Sequence, residues 1–252
     1  MIQVIKIGGG VLENEAQRDA FLRQFAAIEG PKVLVHGGGR LATTMAERLG
    51  VETHMIDGRR VTDKETLDIV TMVYGGLVNK QVVAQLQTMG VNAIGMTGAD
   101  GGWMKAVKRP IKNGIDYGYV GDVVEVNGAH LRTLLDNGLT PVIAPITFSA
   151  DGLLLNTNAD TVASETAVSL APDVQLTFCF EKAGVLSNPD DESSLIACIT
   201  PETYTQLKAD GIISGGMIPK IDNAFAAIEH GVQSVRITHS NQIQGGTIIE
   251  QA

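Results

Sequence analysis

The sequence predicts an α/β fold, a three-layer αβα sandwich with a mostly parallel central sheet and two lobes. Short apolar runs alternate with helical patterns along all 252 residues, as expected when a helix follows each parallel strand. Hydrophobic residues make up 44% of the chain, which is enough for a large buried core. The 29 glycines and the low aromatic content of 4% suit many strand–helix turns better than a β-sandwich.

Apolar spacing predicts the elements of the first half of the chain in order. A strand over residues 4–7 precedes a helix over residues 15–29, whose spacing places Phe21, Leu22 and Phe25 on one face. The other elements expected here are strands over 32–36 and 91–96, helices over 41–49 and 66–89, and a hairpin over the glycine-bearing segment 98–119.

The second half continues the alternation and contains the predicted lobe boundary. Near Pro172 the chain passes from the part with the glycine loops to its C-terminal third, so we expect lobes over residues 1–172 and 173–252. Gly138 is the expected stop of a helix over 131–137. The other elements expected here are strands over 141–146, 174–180, 234–238 and 246–249, and helices over 160–169, 201–210 and 221–230.

Charge and cysteine content argue against several classes of function. The net charge is −9 and no basic stripe occurs, so nucleic acid is not an expected partner. No apolar run reaches membrane-spanning length, so a membrane is not an expected partner either. Cys179 and Cys198 lack metal-ligand spacing, and nothing implies a disulfide, so we expect a reducing, cytoplasmic location.

Two glycine loops give the first indication of chemistry. Lys6 and the glycines at 8–10 follow the first strand, and His36 and the glycines at 37–39 follow the second. Loops at the carboxyl ends of parallel strands share one sheet edge, so together they would form a cradle of backbone amides for an anion. Two independent structural turns are the alternative. Neither loop matches a Walker A or dinucleotide-binding pattern, and His36 is interpreted as a packed or hydrogen-bonded residue.

Three further motifs each have an ordinary structural alternative. Arg59 and Arg60 suit a carboxylate, because a guanidinium bonds both oxygens, although adjacent arginines also occur in solvated turns. Asn156 and Asp160 are four residues apart and would face the same side if the segment enters a helix. A polar helix start is the alternative there. Lys220 follows a Gly-Gly turn, and an exposed lysine is its alternative.

In this order, the motifs resemble those of the amino acid kinase family, and the likeness covers nearly the whole chain. Any single motif is weak evidence, whereas the ordered set is specific. The matching segments are Lys-Ile-Gly-Gly at 6–9, His-Gly-Gly-Gly at 36–39, Gly-Arg-Arg-Val-Thr at 58–62, Asn-Lys at 79–80, Asn-Thr-Asn-Ala-Asp at 156–160 and Gly-Met-Ile-Pro-Lys at 216–220.

The resemblance implies a kinase that moves the γ-phosphoryl group of ATP, with Mg²⁺ carried on the phosphates, to the side-chain carboxylate of an N-acylated glutamate. The arginine loop and the Asn-x-Asn-Ala-Asp segment favour this branch over carbamate, uridylate or glutamate 5-kinases. N-acetyl-L-glutamate, in arginine biosynthesis, is the expected acceptor. N-succinyl-L-glutamate or another acylated glutamate stays open, as does a non-catalytic sensor of amino acids or nucleotides.

The resemblance also implies roles for individual residues. Lys6 and Lys220 would grip the phosphoryl group from opposite sides, and Asp160 would orient the two lysines. The first lobe would bind the acyl-glutamate and form a dimer, and the second would bind the nucleotide. The implied acceptor-binding residues are Gly38, Gly39, Arg60 and Asn156, and the implied nucleotide-binding residues are Gly8, Gly9, Glu181, Lys182, Gly184, Gly215 and Met217.

The chain departs from the family pattern in two places. Many relatives have Thr-Asp-Val-x-Gly-Val-Leu where residues 180–186 here read Phe-Glu-Lys-Ala-Gly-Val-Leu, so Glu181 stands at the position of that aspartate. The chain also begins five residues before Lys6, whereas arginine-inhibited relatives carry an extra N-terminal helix that links dimers into a ring. We therefore expect a homodimer with little inhibition by arginine.

Overall fold

The computed structural model describes residues 1–56, 58–188, 190–215 and 217–251, so Asp57 and Gly216 of the motifs above lie outside the described residues. The strands are β1 (Ile2–Ile7), β2 (Lys32–His36), β3 (Met55–Ile56), β4 (Arg59–Arg60), β5 (Ala93–Met96), β6 (Met104–Lys108), β7 (Gly121–Val126), β8 (Thr140–Ile143), β9 (Ile146–Phe148), β10 (Leu154–Asn156), β11 (Val174–Phe180), β12 (Cys198–Ile199), β13 (Ser234–His239) and β14 (Thr247–Ile249). The helices are α1 (Gly9–Glu13), α2 (Glu15–Ala27), α3 (Gly39–Arg48), α4 (Lys64–Val70), α5 (Asn79–Thr88), α6 (Gly128–Asp136), α7 (Ala159–Leu170), α8 (Pro201–Ala209) and α9 (Met217–Glu229).

Eight strands form the central sheet in the order β12-β14-β13-β11-β1-β2-β8-β5, and every neighbouring pair except β13 and β14 is parallel. Successive residues of the inner strands enter different cores, because side chains alternate across a sheet. Val4 and Val33 pack in one core with side chains of α6, α7 and α9, whereas Ile5 and Leu34 pack in the other with those of α2 to α5. The predicted three-layer α/β fold is confirmed.

A second sheet, in the order β10-β9-β6-β7, and the hairpin of β3 and β4 complete the fold. The single strand expected over residues 141–146 is wrong. Strand β8 ends at Ile143 in the central sheet, and β9 begins at Ile146 in the second sheet. Pro145 lies between them and has no backbone N–H to continue a ladder.

The long helical stretch expected over residues 66–89 is present, but its middle part is a π-helix, which was not expected. Helices α4 and α5 are joined without a break by a π-helical segment, Thr71–Val78. This segment leaves Met72 and Leu77 exposed and buries Tyr74. Among the helices of the described residues, none combines the length and the apolar character needed to cross a bilayer.

Strands β1, β2 and β11 end side by side at the carboxyl edge of the central sheet. Ile7 of β1 lies opposite His36 of β2 and Cys179 of β11. The residues that follow, Gly8 and Gly37, therefore leave the sheet at the same level, as in other parallel sheets that bind ligands at this edge.

Candidate active site

The two glycine loops pack backbone against backbone at this edge. The Gly37 N–H donates to the carbonyl oxygen of Ile7 over 3.0 Å and so joins the second loop to the end of β1. A Cβ atom on Gly9 would lie 3.0 Å from Gly38 N and 3.3 Å from Gly39 N. These contacts are tighter than a Cβ atom normally makes, so a side chain at position 9 would require the neighbouring peptide to move by a few tenths of an ångström.

Lys6 pairs with Asp160, and it shares an aromatic neighbour with Lys220. The Nζ of Lys6, a side chain only 10% exposed, lies 2.7 Å from Asp160 Oδ1. This contact is an ion pair without hydrogen-bond alignment, since that oxygen has no hydrogen-bond partner among the described residues. The Nζ atoms of Lys6 and Lys220 lie 5.5 and 4.0 Å from the centroid of one ring, that of Phe180. The separation of the two ammonium groups cannot exceed the sum of those distances.

Helix α7 presents Asp160. The Oδ1 of Asn158 accepts hydrogen bonds from the N–H groups of Asp160 at 2.8 Å and Thr161 at 3.2 Å, so Asn158 is the N-cap. The expectation that Asn156 and Asp160 share a helix face is wrong. Asn156 ends β10, before the extended cap residue, where helical periodicity does not apply. The two side chains line different cavities.

A cavity of about 210 Å³, here called the arginine cavity, is lined by residues that include Gly38, Gly39, Arg60, Tyr74 and Asn156. The Nη2 of buried Arg60 donates to Gly39 O at 2.8 Å and to the hydroxyl of Thr43 at 2.7 Å. Its Nη1 is buried without a hydrogen-bond partner in the described part of the chain. A buried guanidinium nitrogen with unused donors favours an anionic ligand such as a carboxylate.

Asn156 and Tyr74 complete the wall of the arginine cavity. The Nδ2 of Asn156 donates to Thr62 Oγ1 at 3.0 Å, which fixes the orientation of its amide. A Cβ atom on Gly38 would lie 2.8 Å from Cδ1 of Tyr74, so the second loop and this ring are in direct contact. Burial raises the pKa of the Tyr74 hydroxyl, against the opposing effect of the nearby positive charge of Arg60, so the hydroxyl stays neutral. The sequence did not reveal Tyr74, because an aromatic residue within a helical pattern resembles any core residue.

A larger cavity of about 470 Å³, here called the loop cavity, is lined by the three glycines of the first loop. Lys220 lines both this cavity and the groove that contains Asp160. Gly215, in contrast, lies in the turn before α9 with φ of +53° and does not line the loop cavity. The other residues expected to bind nucleotide do line it: Gly8, Gly9, Glu181, Lys182, Gly184 and Met217.

Comparison with known proteins identifies a family model and full-length relatives. The model described as amino acid kinase family matches residues 1–239. Acetylglutamate kinase of Phocaeicola vulgatus is 54% identical, with 99% of this chain and 98% of that protein aligned. Acetylglutamate kinase of Cytophaga hutchinsonii is 53% identical, with 96% and 92% aligned. The crystal structure of smu.665 from Streptococcus mutans has a TM-score of 0.77 at 30% identity and covers 99% of this chain and 98% of its own.

Adjacent glycines of the first loop offer a matched pair of variants. We expect Gly9→Ala to lower the free energy of unfolding by about 1–3 kcal/mol, because its Cβ would push the two loops apart. Gly8→Ala is the control, since no atom lies within 4 Å of its Cβ, and we expect a change below about 0.5 kcal/mol. Urea denaturation measures both. Equal losses in the two variants would contradict the close packing of the loops.

Proposed function

This chain belongs to the amino acid kinase family, and on that premise we propose that it transfers the γ-phosphoryl group of ATP to the side-chain carboxylate of N-acetyl-L-glutamate. The product would be an acyl phosphate, an early intermediate of arginine biosynthesis. One observation carries the proposal: the likeness to proteins named acetylglutamate kinase extends over nearly the whole of each chain. The charges and cavities at the sheet edge are consistent with it.

The arginine cavity is the proposed acceptor site. Its support is the unused Nη1 of buried Arg60, which would bind the α-carboxylate of the acceptor. Asn156 would hydrogen-bond the polar groups of the substrate, and Gly38 and Gly39 would border it without side chains to obstruct it. Nothing needs to deprotonate the nucleophile, because a glutamate side chain is ionised at neutral pH.

Lys6, Lys220 and Asp160 are the proposed catalytic residues. Two anions must meet and negative charge must be stabilised on the group in transfer, so fixed positive charge is the main requirement. The shared approach of both ammonium groups to the Phe180 ring supports a common target. Asp160 would hold Lys6 through the ion pair seen here, and it lines one groove with Lys220. It would act as an orienting group rather than as a base.

The loop cavity is the proposed nucleotide site, and the region 173–252 the proposed nucleotide lobe. Residues from both proposed lobes line this cavity, which would let ATP face the acceptor across the boundary near Pro172. Gly8 and Gly9 would offer backbone amides to the phosphates, and Lys182, Glu181, Gly184 and Met217 would contact the rest of the nucleotide. Gly215 would act by shaping the turn before α9. ATP would bring its Mg²⁺ on the phosphates as part of the substrate.

We also propose a cytoplasmic homodimer. Exposed Met72 and Leu77 on the π-helical segment support an apolar contact between copies of the region 1–172. Cys179 and Cys198 are free thiols, as is usual in a reducing compartment. Mass measurement by light scattering at micromolar protein tests the assembly, and a stable hexamer or monomer would contradict it.

A coupled assay of ADP release with MgATP tests the reaction itself. We expect turnover with N-acetyl-L-glutamate and at least about tenfold lower kcat/KM with N-succinyl-L-glutamate or unmodified L-glutamate, because the acyl group contributes to binding. ADP release with none of these acceptors, or nucleotide binding without turnover, would overturn the proposed function.

Replacement of Lys6 tests the catalytic role of its charge. We expect Lys6→Met to lower kcat at least about 100-fold and to change the KM for ATP by less than about fivefold, because the charge acts most strongly in the transition state. Lys64→Met is the control, since exposed Lys64 forms its one ion pair among the described residues with Asp68 of its own helix. Steady-state kinetics at saturating substrates measures both. An unchanged kcat would remove Lys6 from catalysis.

Replacement of Arg60 tests the acceptor site. We expect Arg60→Ala to raise the KM for the acyl-glutamate about 10- to 100-fold, as loss of a charge-assisted hydrogen bond predicts, with little effect on the KM for ATP. The exposed Arg48 at the end of α3 provides the control variant Arg48→Ala. A rise confined to the KM for ATP would mean that the two cavities are assigned the wrong way round.

A further inference from the structure

His36, the last residue of β2, is fully buried directly before the second glycine loop. Its Nδ1 lies 2.8 Å from the carbonyl oxygen of Gly37, and its Nε2 lies 3.1 Å from Nδ2 of Asn79. The proposed reaction leaves both His36 and the Asn79-Lys80 motif without a role. Their hydrogen bonds nevertheless connect the loop at the arginine cavity to the start of α5.

The surroundings of Asn79 determine which nitrogen of His36 carries the proton. The Nδ2 of Asn79 also donates to Val142 O at 2.8 Å, and its Oδ1 accepts from the Lys80 ammonium at 3.1 Å. A flipped amide would place Oδ1 of Asn79 against Val142 O, and its Nδ2 against the Lys80 ammonium. Neither pair can form a hydrogen bond, so Nδ2 must face His36. Nε2 of His36 therefore accepts, and the proton resides on Nδ1, which donates to Gly37 O.

Burial keeps this imidazole neutral. Desolvation lowers the pKa of His36 to about 4, and the positive charge of Lys80 also lowers it. Lys80 itself is held by a second hydrogen bond, from Nζ to Gly95 O at 3.1 Å. Gly95 leaves the space that the network needs, because a Cβ there would lie 1.9 Å from Asn79 Oδ1. The neutral Nδ1–H tautomer is thus maintained by contacts from three elements of the fold.

The hydrogen bond from His36 fixes the direction of a peptide group at the arginine cavity. A trans peptide points its C=O and the following N–H in opposite directions. With Gly37 O facing the imidazole, the N–H of Gly38 must face away from it. Gly38 lines the arginine cavity, and its N–H has no acceptor among the described residues. Gly37 N–H, in turn, is already engaged by Ile7 O.

We propose that His36 is a positioning residue, whose Nδ1–H holds the Gly37–Gly38 peptide so that the Gly38 N–H donates to the side-chain carboxylate of the acceptor. In the step it assists, a carboxylate oxygen bonds to the γ-phosphorus of ATP while the bond from that phosphorus to the bridging oxygen breaks, and ADP leaves with that oxygen. This role rests on the proposed function. It is separate from acid–base catalysis, because the imidazole has no exposed surface and exchanges no proton with substrate. Asn79 and Lys80 support the role by selecting the tautomer.

Two amide substitutions separate the two hydrogen bonds of the ring. In His36→Asn the amide N–H takes the place of Nδ1 and can still donate to Gly37 O. In His36→Gln the longer side chain reaches the place of Nε2 and keeps only the contact with Asn79. We expect kcat with N-acetyl-L-glutamate to fall about 100-fold in His36→Gln, as when one oriented backbone donor is lost. His36→Asn should keep a kcat at least about tenfold higher.

A merely structural role for His36 predicts a different outcome. Both variants disturb the same buried volume, so a packing role would lower thermal stability and activity in parallel and leave no rescue by His36→Asn. Equal kcat values in the two variants, at equal melting temperatures, would overturn the proposal. If either variant fails to fold, the proposal is tested by the tautomer of His36 in the unmodified protein.

That tautomer is measured by ¹⁵N NMR of protein labelled at histidine. We expect one imidazole, protonated at Nδ1 and not at Nε2, whose signals stay unchanged from pH 8 to about pH 5. The failure of its signals to titrate assigns it, because His36 is the one fully buried histidine of the described residues. Protonation at Nε2 would overturn the proposal. Because this measurement needs no turnover, its failure is distinguishable from failure of the proposed reaction.

Discussion

Two peptide segments approach each other so closely at the sheet edge that a side chain on either would have to push the other aside, and the rest of the site depends on that approach. Strands β1 and β2 are parallel neighbours in register, so the loops after them leave the sheet together. A Cβ on Gly37 would lie 3.1 Å from Gly9 N, and one on Gly9 would lie 3.0 Å from Gly38 N. The contact places backbone donors of one loop beside those of the other, with Lys6 near the end of β1.

Burial determines which charged side chains of this acidic protein can contribute strongly to binding a ligand. An exposed pair such as Arg40 with Glu181 contributes at most about 1 kcal/mol, whereas a buried cation costs several kcal/mol of lost hydration unless it is compensated. Lys6 is compensated by Asp160, and Arg60 is only partly satisfied by neutral oxygens. The remaining donor capacity of Arg60 is available to an anion. The net charge of −9 therefore coexists with a strongly local preference for negative substrates.

Much of the fold followed from apolar spacing, because strands buried on both faces and long helices have strong local patterns. The predicted range of β11 was confirmed to the residue, and the glycine loops were located correctly. Strands of two or three residues, such as β4, carry no such pattern, so the sequence could not show that Arg60 is buried and Arg59 exposed. Likewise, Tyr74 reaches the cavity through a π-helical segment, whose wider turn no apolar spacing predicted.

The central claim is that two ammonium groups from distant parts of the chain act on one phosphoryl group. A crystal structure with N-acetyl-L-glutamate, MgADP and aluminium fluoride tests it most directly, because the fluoride complex replaces the group in transfer. We expect the Nζ atoms of both Lys6 and Lys220 within about 3 Å of fluoride, on opposite sides of the metal fluoride plane. A fully occupied site in which either ammonium group lies beyond hydrogen-bonding distance would contradict the claim.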